Sequence, residues 1–251
     1  MASLKQRAEG NLLASLAGAT PHGEWGDDVC REVRRIATRG RIAPIYRWIA
    51  SDATAEELVE FIAVEGGPDD GFDDLVACCQ VGLTGEPKME MATNYWDEMG
   101  RGDARQVHRA LHRNLSAAME VPHIARGDLP LPALRRSLLT TTLATNRSMQ
   151  PELVGVLGMI EMCAGPRCRK VVAGLERVGA SADALPFYEV HAVTDPRHGK
   201  DWLDHVIAPL SHDPGIADGI VRGARWRAEV DRAFFTDLWD RFVDVPEPQA
   251  A

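Results

Sequence analysis

Cysteine, aromatic side chains and long apolar runs are all scarce in this sequence of 251 residues. The five cysteines are an odd number and include the adjacent pair Cys78 and Cys79, a pattern that favours free thiols over a disulfide framework. No stretch approaches the roughly 18 apolar residues of a membrane-spanning helix, and the N-terminus is too polar for a signal peptide. These absences predict a cytoplasmic protein without a membrane partner.

An excess of positive charge is absent as well. The formal net charge is -9, and no basic stripe is interleaved with aromatic residues, so nucleic acid is not an expected partner. A zinc site is disfavoured because Cys163 and Cys168 have four residues between them and no second pair repeats that spacing. We interpret both residues as buried or partly buried free thiols.

The residues that are abundant favour helices. Apolar residues make up 45% of the chain and aromatic residues only 6%, and the frequent alanine, leucine and arginine are helix formers. The alternating pattern of a β-strand nowhere extends beyond about five residues. The sequence therefore predicts an all-α fold of about seven helices in a single domain (1–251), with an N-terminal arm (1–25) and a Pro-rich tail (244–251).

Local signals predict where several helices begin or end. Thr54 and Glu57 form a capping box, which predicts a helix that begins there and stops at Gly66. A later helical stretch is interrupted at Gly100 and Gly102, and glycines inside such a pattern usually have a packing or functional reason. This interruption separates two segments that carry acidic and histidine side chains.

One predicted helix carries histidines on its apolar face. His191, Asp195 and His198 are spaced i, i+4 and i+7 and share one face. Trp202 continues the stripe at i+11. Two imidazoles and a carboxylate on a stripe that faces the core are costly unless they are paired or bind a metal ion. The alternative is a surface histidine face with Asp195 as a solvated ion partner.

Further acids and a histidine stand in comparable positions. Glu161 is the only charged residue in a run of thirteen (153–165), so its carboxylate should be neutral, paired or metal-bound. Glu65 ends an apolar run, Glu98 precedes the glycine-interrupted turn, and His108 follows it. Taken singly, Glu65 could be an ordinary helix-terminal acid and Glu98 an exposed one. The joint pattern is harder to ascribe to chance.

Together these residues form a set of four carboxylates and three imidazoles on several helices. A pair of iron ions requires such a set, because carboxylates bridge and tolerate both Fe(II) and Fe(III) while imidazoles add neutral donors. The predicted metal ligands are Glu65, Glu98, His108, Glu161, His191, Asp195 and His198. A ferritin-like site uses a Glu-x-x-His motif twice, and the lack of such a pair here argues against that scaffold.

Two motifs resemble those of a known family. Residues 94–102 read NYWDEMGRG and are followed by a Val-His pair at 107–108, and residues 191–202 carry H-x-x-x-D-x-x-H-x-x-x-W. Over residues 54–210 the chain resembles the haem-oxygenase-like di-iron oxidases, which are iron-containing redox enzymes. The resemblance implies a seven-helix bundle in which carboxylates and histidines replace haem and hold a labile di-iron centre that activates O2.

The resemblance also implies how the ligands divide between two irons. Glu98 would bridge both ions, with Glu65, His108 and His198 around one and Glu161, His191 and Asp195 around the other. Candidate residues that would support the ligands are Asn94, Asp97 and Tyr188. Pro196 removes the backbone hydrogen bond to residue 192, so the ligand helix is expected to be locally irregular.

The implied function is that of a non-haem di-iron oxygenase with O2 as co-substrate. Our leading hypothesis is N-oxygenation of a small amine or an amino-acid-derived substrate, as in biosynthesis. The alternative at the same site is oxidative C–C cleavage or decarboxylation of an amino acid or a fatty acid. Arg101, Arg105 and Arg197 could hold a substrate carboxylate, although ordinary surface charges would look the same. An external electron donor and a homodimer are left open.

Two further classes of protein remain open. The haem-oxygenase-like scaffold also hosts metal-free enzymes, in which Cys78, Cys79 or Cys163 would be the nucleophile, although none has an evident activating base nearby. A non-catalytic helical binding module would instead use its acidic surface to meet a partner. Such a module would tolerate the loss of Glu98 or Glu161, since an unneeded buried charge is destabilising. A di-iron enzyme would lose its metal.

Overall fold

Helices form all the regular secondary structure in the part of the chain that the computed structural model describes, residues 3–18, 28–66 and 71–243. The eleven α-helices are α1 (Leu4–Ala17), α2 (Val29–Gly40), α3 (Pro44–Ser51), α4 (Ala55–Glu65), α5 (Phe72–Cys79), α6 (Gly85–Glu98), α7 (His108–Ala118), α8 (Leu131–Thr145), α9 (Gln150–Arg177), α10 (Pro186–Asp201) and α11 (Pro214–Phe242). Helix α10 continues through a π-helical turn (Trp202–Ile207) and a last short turn (Ala208–Leu210). None of these described helices is both long enough and apolar enough to cross a bilayer.

The expected all-α fold class is confirmed, but the described residues form eleven helices rather than about seven. Glycines and prolines divide the longer periodic stretches into shorter helices. Helix α2 ends at Gly40, and α3 begins with Pro44 in its first turn. Proline fixes φ and lacks a backbone N–H, so it suits the start of a helix better than its continuation. The capping box at Thr54 is present as predicted, and Gly66 follows the end of α4.

The first part of the predicted N-terminal arm (1–25) is a packed helix. Ser3 caps α1, and the side chains of Leu12 and Leu16 are buried in the core. The burial of these two leucines ties α1 to the rest of the fold through the hydrophobic effect. The remainder of the arm beyond α1 and the predicted tail (244–251) lie outside the described residues.

Helix α9 is central and packs against α3, α10 and α11. Where α9 crosses α11, the two backbones approach so closely that no side chain would fit between them. A Cβ atom on Gly155 would lie 2.0 Å from the carbonyl oxygen of Ile220, and one on Gly223 would lie 2.0 Å from that of Glu152. The crossing therefore requires glycine on both helices.

A second close approach, which we call the glycine seam, joins α9 to α10. A Cβ atom on Gly165 of α9 would lie 2.8 Å from Cδ of Pro196, and one on Gly199 of α10 would lie 2.9 Å from Cα of Met162. The missing side chains let the two backbones come together. Glu161 on α9 and the histidines on α10 are held along this seam.

The predicted irregularity of α10 is present at Pro196, which lies inside the helix. Proline cannot donate to the carbonyl oxygen of Ala192, and Nη1 of Arg169 donates to that oxygen instead at 2.8 Å. Further along, Nε1 of Trp202 in the π-helical turn donates to the carbonyl oxygen of Val154 at 3.1 Å. Contacts with α9 thus hold α10 in place where its own hydrogen bonding is interrupted.

A buried group of charges, the arginine cluster, joins α8, α9 and α11. Oδ1 of Asp231 lies 3.1 Å from Nε of Arg136 and 2.8 Å from Nε of Arg227, and Oδ2 accepts a hydrogen bond of 2.9 Å from Nη1 of Arg167. The guanidinium groups of Arg136 and Arg167 also lie 5.6 and 4.7 Å from the ring centre of Phe235. All four charged side chains are buried, so their mutual attraction is little screened by water.

The α9–α11 crossing makes a prediction about stability. Gly155→Ala should lower the free energy of unfolding by about 1–3 kcal/mol or more, because its methyl group would meet the carbonyl oxygen of Ile220. Urea unfolding followed by circular dichroism measures the change. Gly10→Ala in α1 is the matched control: it is exposed with no atom within 4 Å of the new Cβ, and alanine there should stabilise by about 0.5–1 kcal/mol. Equal stability of Gly155→Ala and the wild type would contradict the crossing.

The arginine cluster makes a prediction about pH. Burial would raise the pKa of Asp231, but Arg227, Arg167 and Arg136 hold it well below its usual range. A lowered folded pKa means that the stabilisation is fully present above the unfolded pKa of about 3.9 and is lost as the pH falls below it. Asp231→Asn should therefore cost about 3–5 kcal/mol near neutral pH. The difference in the free energy of unfolding between this variant and the wild type should become smaller near about pH 3, as measured by urea unfolding.

The control for this prediction is Asp204→Asn, which removes the acid of an exposed pair with Lys200. An exposed pair contributes little because water screens it, so this variant should stay close to the wild type at both pH values. A deficit of Asp231→Asn that does not change with pH would show that the carboxylate charge is not what stabilises the cluster.

Candidate metal centre

Two overlapping groups of predicted ligands meet in the interior. In the first triad, Glu98, His108 and His191 each offer one ligand atom, and these atoms lie within 4.8 Å of one another. In the second triad, the same is true of Glu98, Glu161 and His198. All are buried except His191, which is half-buried. Because Glu98 belongs to both triads, the arrangement can hold two cations that share one carboxylate.

The turn between α6 and α7 places Glu98 beside His108. Helix α6 ends at Glu98 and α7 begins at His108. Gly100 and Gly102 between them have φ values of 62° and 90°, and a Cβ atom on Gly100 would lie 2.5 Å from the carbonyl carbon of Gln106. Glycine adopts these φ values without strain. Nδ1 of His108 thereby lies 2.8 Å from Oε2 of Glu98.

Helix α10 orients His191 toward the first triad. Nδ1 of His191 lies 2.6 Å from the carbonyl oxygen of Phe187. A carbonyl oxygen only accepts, so Nδ1 carries the proton and Nε2 is the nitrogen that can bind a metal ion. The ring of His191 also lies edge-on to that of His108, with 4.4 Å between their centres. The two imidazoles of the first triad thus fix each other's position.

Asp97 orients His198 toward the second triad. Nε2 of His198 lies 3.0 Å from Oδ2 of Asp97. Its Nδ1 faces the opposite way, 3.5 Å from Oε2 of Glu161 and 3.7 Å from Oδ1 of Asp195. An imidazole held by a carboxylate on one nitrogen, with the other turned toward oxygen donors, is the usual arrangement of a metal-binding histidine.

The arginines expected to hold a substrate carboxylate are engaged elsewhere. Nε of Arg101 lies 2.6 Å from Oδ1 of Asp97, and Nη2 of Arg197 lies 2.5 Å from Oδ2. Burial would raise the pKa of Asp97, but these hydrogen bonds hold it well below its usual range. Arg105 pairs with Asp103 at the surface. All three arginines are exposed and none lines the cavity described below, so the structure does not place them where substrate would reach them.

Glu161, the lone acid of its apolar run, is held in place by an amide. Nδ2 of Asn94 donates to Oε1 of Glu161 at 2.7 Å, which leaves Oε2 toward His198. Burial raises the pKa of Glu161, and it raises that of Glu98 to about 7. Burial lowers the pKa of His108, which favours the neutral imidazole that binds metal ions.

The pKa of His198 shows how strongly the second triad attracts positive charge. Burial alone would lower this pKa, but the neighbouring carboxylates of Asp195, Glu161 and Asp97 raise it to about 11. The surrounding carboxylates thus favour a cation at this position. A metal ion among them would supply that charge in place of the ring proton.

Glu65 and Asp195 flank the triads without belonging to either. Oε1 of the half-buried Glu65 accepts a hydrogen bond of 3.4 Å from the hydroxyl of Tyr46. Oδ1 of the buried Asp195 accepts one of 3.2 Å from Oγ1 of Thr194. Both acids line the same cavity as the first triad and Glu161. Their role as metal ligands stays a prediction.

The structure pairs the histidines differently from the expected division. His191, not His198, lies with His108, and His198, not His191, lies with Glu161. The reason is geometric: His191 and His198 are two turns apart on α10, about 10 Å along the axis, so they face different neighbours. His191 lies beside His108 of α7, and His198 lies beside Glu161 of α9. The central position of Glu98 accords with the bridging role that was expected.

A cavity of about 160 Å³ connects these groups. The predicted ligands on its wall are Glu65, Glu98, His108, Glu161, His191 and Asp195. Apolar side chains such as Ile160, Ala164 and Phe187 line it as well. A small apolar chamber beside convergent polar groups is the usual form of a site for a small molecule.

Sequence reasoning missed several polar residues that line this cavity. They are Tyr46, Asp73, Arg109, His112, Arg136, Arg167 and Arg227. The three members of the arginine cluster among them come from three different helices, and arginine is normally found at the surface. No spacing in the sequence links them. A Glu-x-x-His match also occurs at Glu120–His123, but it lies in the loop after α7 and belongs to neither triad.

The donor set fits a pair of iron-like cations. Nδ1 of His108 and Nδ1 of His198 are buried and make no hydrogen bond to other described residues, despite the nearby carboxylates. Unsatisfied buried nitrogens are costly, and a metal ion would satisfy both. The triads offer only oxygen and nitrogen donors, without a thiolate, which suits iron better than structural zinc.

Comparisons with known proteins are consistent with this chemistry. A family model described as iron-containing redox enzyme matches residues 67–232, most of the chain. Among solved structures, a CADD-like protein of unknown function from Nostoc punctiforme aligns with a TM-score of 0.60 and 14% identity, over 94% of this chain and 99% of that one. At that identity the likeness is one of fold alone. No curated protein sequence matches the chain.

The contact between Asp97 and His198 makes a prediction about metal affinity. Asp97→Asn should weaken metal binding about 10- to 100-fold. The neutral amide would hold the imidazole ring of His198 less firmly and would no longer favour the tautomer that carries its proton on Nε2. Anaerobic titration with Co(II), followed by visible absorption, measures this change. Asp103→Asn is the matched control, since its carboxylate pairs with Arg105 at the surface. Unchanged affinity in Asp97→Asn would show that His198 does not bind the metal.

Proposed function

The chain belongs to the family of iron-containing redox enzymes with a haem-oxygenase-like fold, and we propose that it is a non-haem di-iron oxygenase. The observation that carries the proposal is the position of Glu98 in both triads. A carboxylate can bridge two metal ions through its two oxygens. Two sites with a common bridging acid would hold the ions close enough to act on one O2 molecule.

When bound, two iron ions would supply the redox chemistry that activates O2. The protein would position them: Glu98 as the bridge, His108 and His191 on one side, and Glu161 and His198 on the other. Asn94 and Asp97 hold two of these ligands by hydrogen bonds. Such support keeps ligand geometry fixed and makes the ligands better donors.

For the reaction, we favour N-oxygenation of a small amine or an amino-acid-derived substrate. In this reaction one oxygen atom of O2 enters an N–H bond and the other leaves as water, with two electrons and two protons from an external electron donor. Carboxylates at one part of the cavity would attract an amino group to the metal centre. Oxidative cleavage of an amino acid would use the same site and the same positioning.

The size of the cavity argues against a long substrate. Its volume is about 160 Å³, close to the roughly 150 Å³ of an engineered cavity that binds benzene in another protein. A long acyl chain would not fit without a large rearrangement of the surrounding helices. Decarboxylation of a fatty acid is therefore the less favoured version of the proposal.

The cysteines offer little support for a metal-free enzyme. Cys79 and Cys163 are buried, and burial raises the pKa of both thiols, which suppresses the nucleophilic thiolate. Cys78 is exposed. None of these three candidates lies among the described residues that line the cavity.

Iron stoichiometry tests the proposal. The wild-type chain should bind two Fe(II) ions in an anaerobic titration. Glu98→Ala should lose both ions, because both triads need its carboxylate, whereas Glu161→Ala should keep about one ion in the first triad. Equilibrium dialysis with iron quantified by mass spectrometry measures the numbers, and circular dichroism shows that each variant is folded.

The matched control is Glu90→Ala, which removes a half-buried glutamate from the same helix as Glu98 but outside both triads. It should bind two ions like the wild type. Binding of no iron by the wild-type chain, or equal stoichiometry in Glu98→Ala and Glu90→Ala, would rule out the proposed centre. A rise in stability of Glu98→Ala with no loss of metal would favour a binding module.

A further inference from the structure

Tyr188 presents a buried hydroxyl that no described residue satisfies. The side chain lines the cavity and is only 3% exposed, and its hydroxyl has no hydrogen-bond partner among the described residues. A buried hydroxyl without a partner costs free energy, whereas phenylalanine would fill the same space without that cost. Its presence on a cavity wall therefore points to a polar group of a bound molecule.

The hydroxyl of Tyr188 keeps its proton and can donate a hydrogen bond. Burial raises its pKa well above the usual value, and the charges of Glu65, Cys168 and Tyr46 raise it further. The phenol therefore keeps its proton and offers it in a hydrogen bond. The matching group on a bound molecule is an acceptor, and an anionic oxygen forms the stronger bond.

The arginine cluster favours an acceptor that carries a negative charge. Arg136, Arg167 and Arg227 all line the cavity and are all buried. Guanidinium groups stay charged at any relevant pH and match the two oxygens of a carboxylate. A cavity walled by such groups at low dielectric favours an anion far more than a surface arginine does.

Tyr46 connects the arginine cluster to the metal centre. Its hydroxyl donates to Glu65 beside the triads at 3.4 Å, and the guanidinium of Arg167 lies 5.7 Å from its ring centre. The wall of this one cavity thus carries carboxylates and imidazoles, the two tyrosines and the three guanidinium groups.

We propose that the substrate carries a carboxylate, which accepts a hydrogen bond from the hydroxyl of Tyr188 and lies against the arginine cluster. This inference rests on the proposed function in that it names the substrate class of the same site. It also assigns the recognition of the carboxylate to Arg136, Arg167 and Arg227 in place of the surface arginines. An amino acid would place its carboxylate there and its amino group toward the metal ligands.

The test uses binding to the full-length chain freed of metal by a chelator, so that no ion can bind the ligand. Benzoate and its neutral counterpart benzamide are the probes, because a single ring suits a cavity of about 160 Å³. Isothermal titration calorimetry should show benzoate binding at least about tenfold more tightly than benzamide. Equal binding of the two probes, or binding of neither, would overturn the proposal.

Tyr188→Phe removes only the hydroxyl and should weaken benzoate binding about tenfold or more, with benzamide little affected. The same variant should be as stable as the wild type or more stable, since an unpaired buried group is lost, and this protects the test from a folding defect. Tyr95→Phe is the matched control, because Tyr95 is partly buried but does not line the cavity. Wild-type affinity for benzoate in Tyr188→Phe would overturn the role of the hydroxyl.

Arg136→Lys provides a second, independent variant. It keeps the positive charge beside Asp231 but loses the planar fork, so it should weaken benzoate binding while retaining the fold. Wild-type affinity in this variant would overturn the role of the cluster. The two proposals fail separately: iron binding without preference for benzoate rejects only the carboxylate site, and preference for benzoate without iron binding rejects only the di-iron centre.

Discussion

The candidate centre depends on how closely α9 approaches α10. Glycines at 165 and 199 remove the side chains that would separate the two helices, and only this approach brings Glu161 to within 3.5 Å of His198. A metal centre with short bonds to side chains on two helices tolerates little error in their separation. The same seam covers the place where Pro196 interrupts α10, and Arg169 completes the backbone hydrogen bonding there. Close packing and ligand geometry are therefore the same constraint.

Around the ligands, charge is arranged in successive layers. The triads concentrate carboxylates and imidazoles in the interior, where ionised acids are costly without a cation. Behind them, Asp97 orients His198 and is itself neutralised by Arg101 and Arg197. The arginine cluster forms a separate centre of charge around Asp231, bonded across three helices. Asp97 and Asp231 thus each have arginine counterparts, and residues of both the triads and the arginine cluster line the cavity.

Much of the candidate site could be predicted from the sequence because the signals for its residues were local. The stripe of His191, Asp195 and His198 follows from helical periodicity, and Glu161 is conspicuous as the one charge in an apolar run. The turn between Glu98 and His108 is marked by its glycines. Of these residues, all but His198 line one cavity, and His198 lies against Glu161 on its wall.

What could not be predicted depends on how the helices are placed in three dimensions. The pairing of His191 with His108 follows from which helix lies beside each turn of α10, and no spacing encodes this. Arg136, Arg167 and Arg227 lie on three helices, each within an ordinary pattern, so their convergence on Asp231 is visible only in the structure. The surface arginines near the ligand motifs were the more obvious candidates for that reason. Helix number was underestimated because short helices joined by a few residues, such as α2 and α3, look continuous in a periodic pattern.

The shared carboxylate of Glu98 has a consequence for how metal enters and leaves. An ion in either triad would draw on the charge and orientation of the same side chain, so occupancy of one site would change the free energy of filling the other. Linkage is reciprocal, so each ion would alter the affinity for its neighbour by the same factor. Retention of metal would accordingly be a property of the pair, and a chelator that removed one ion would change the affinity for the second.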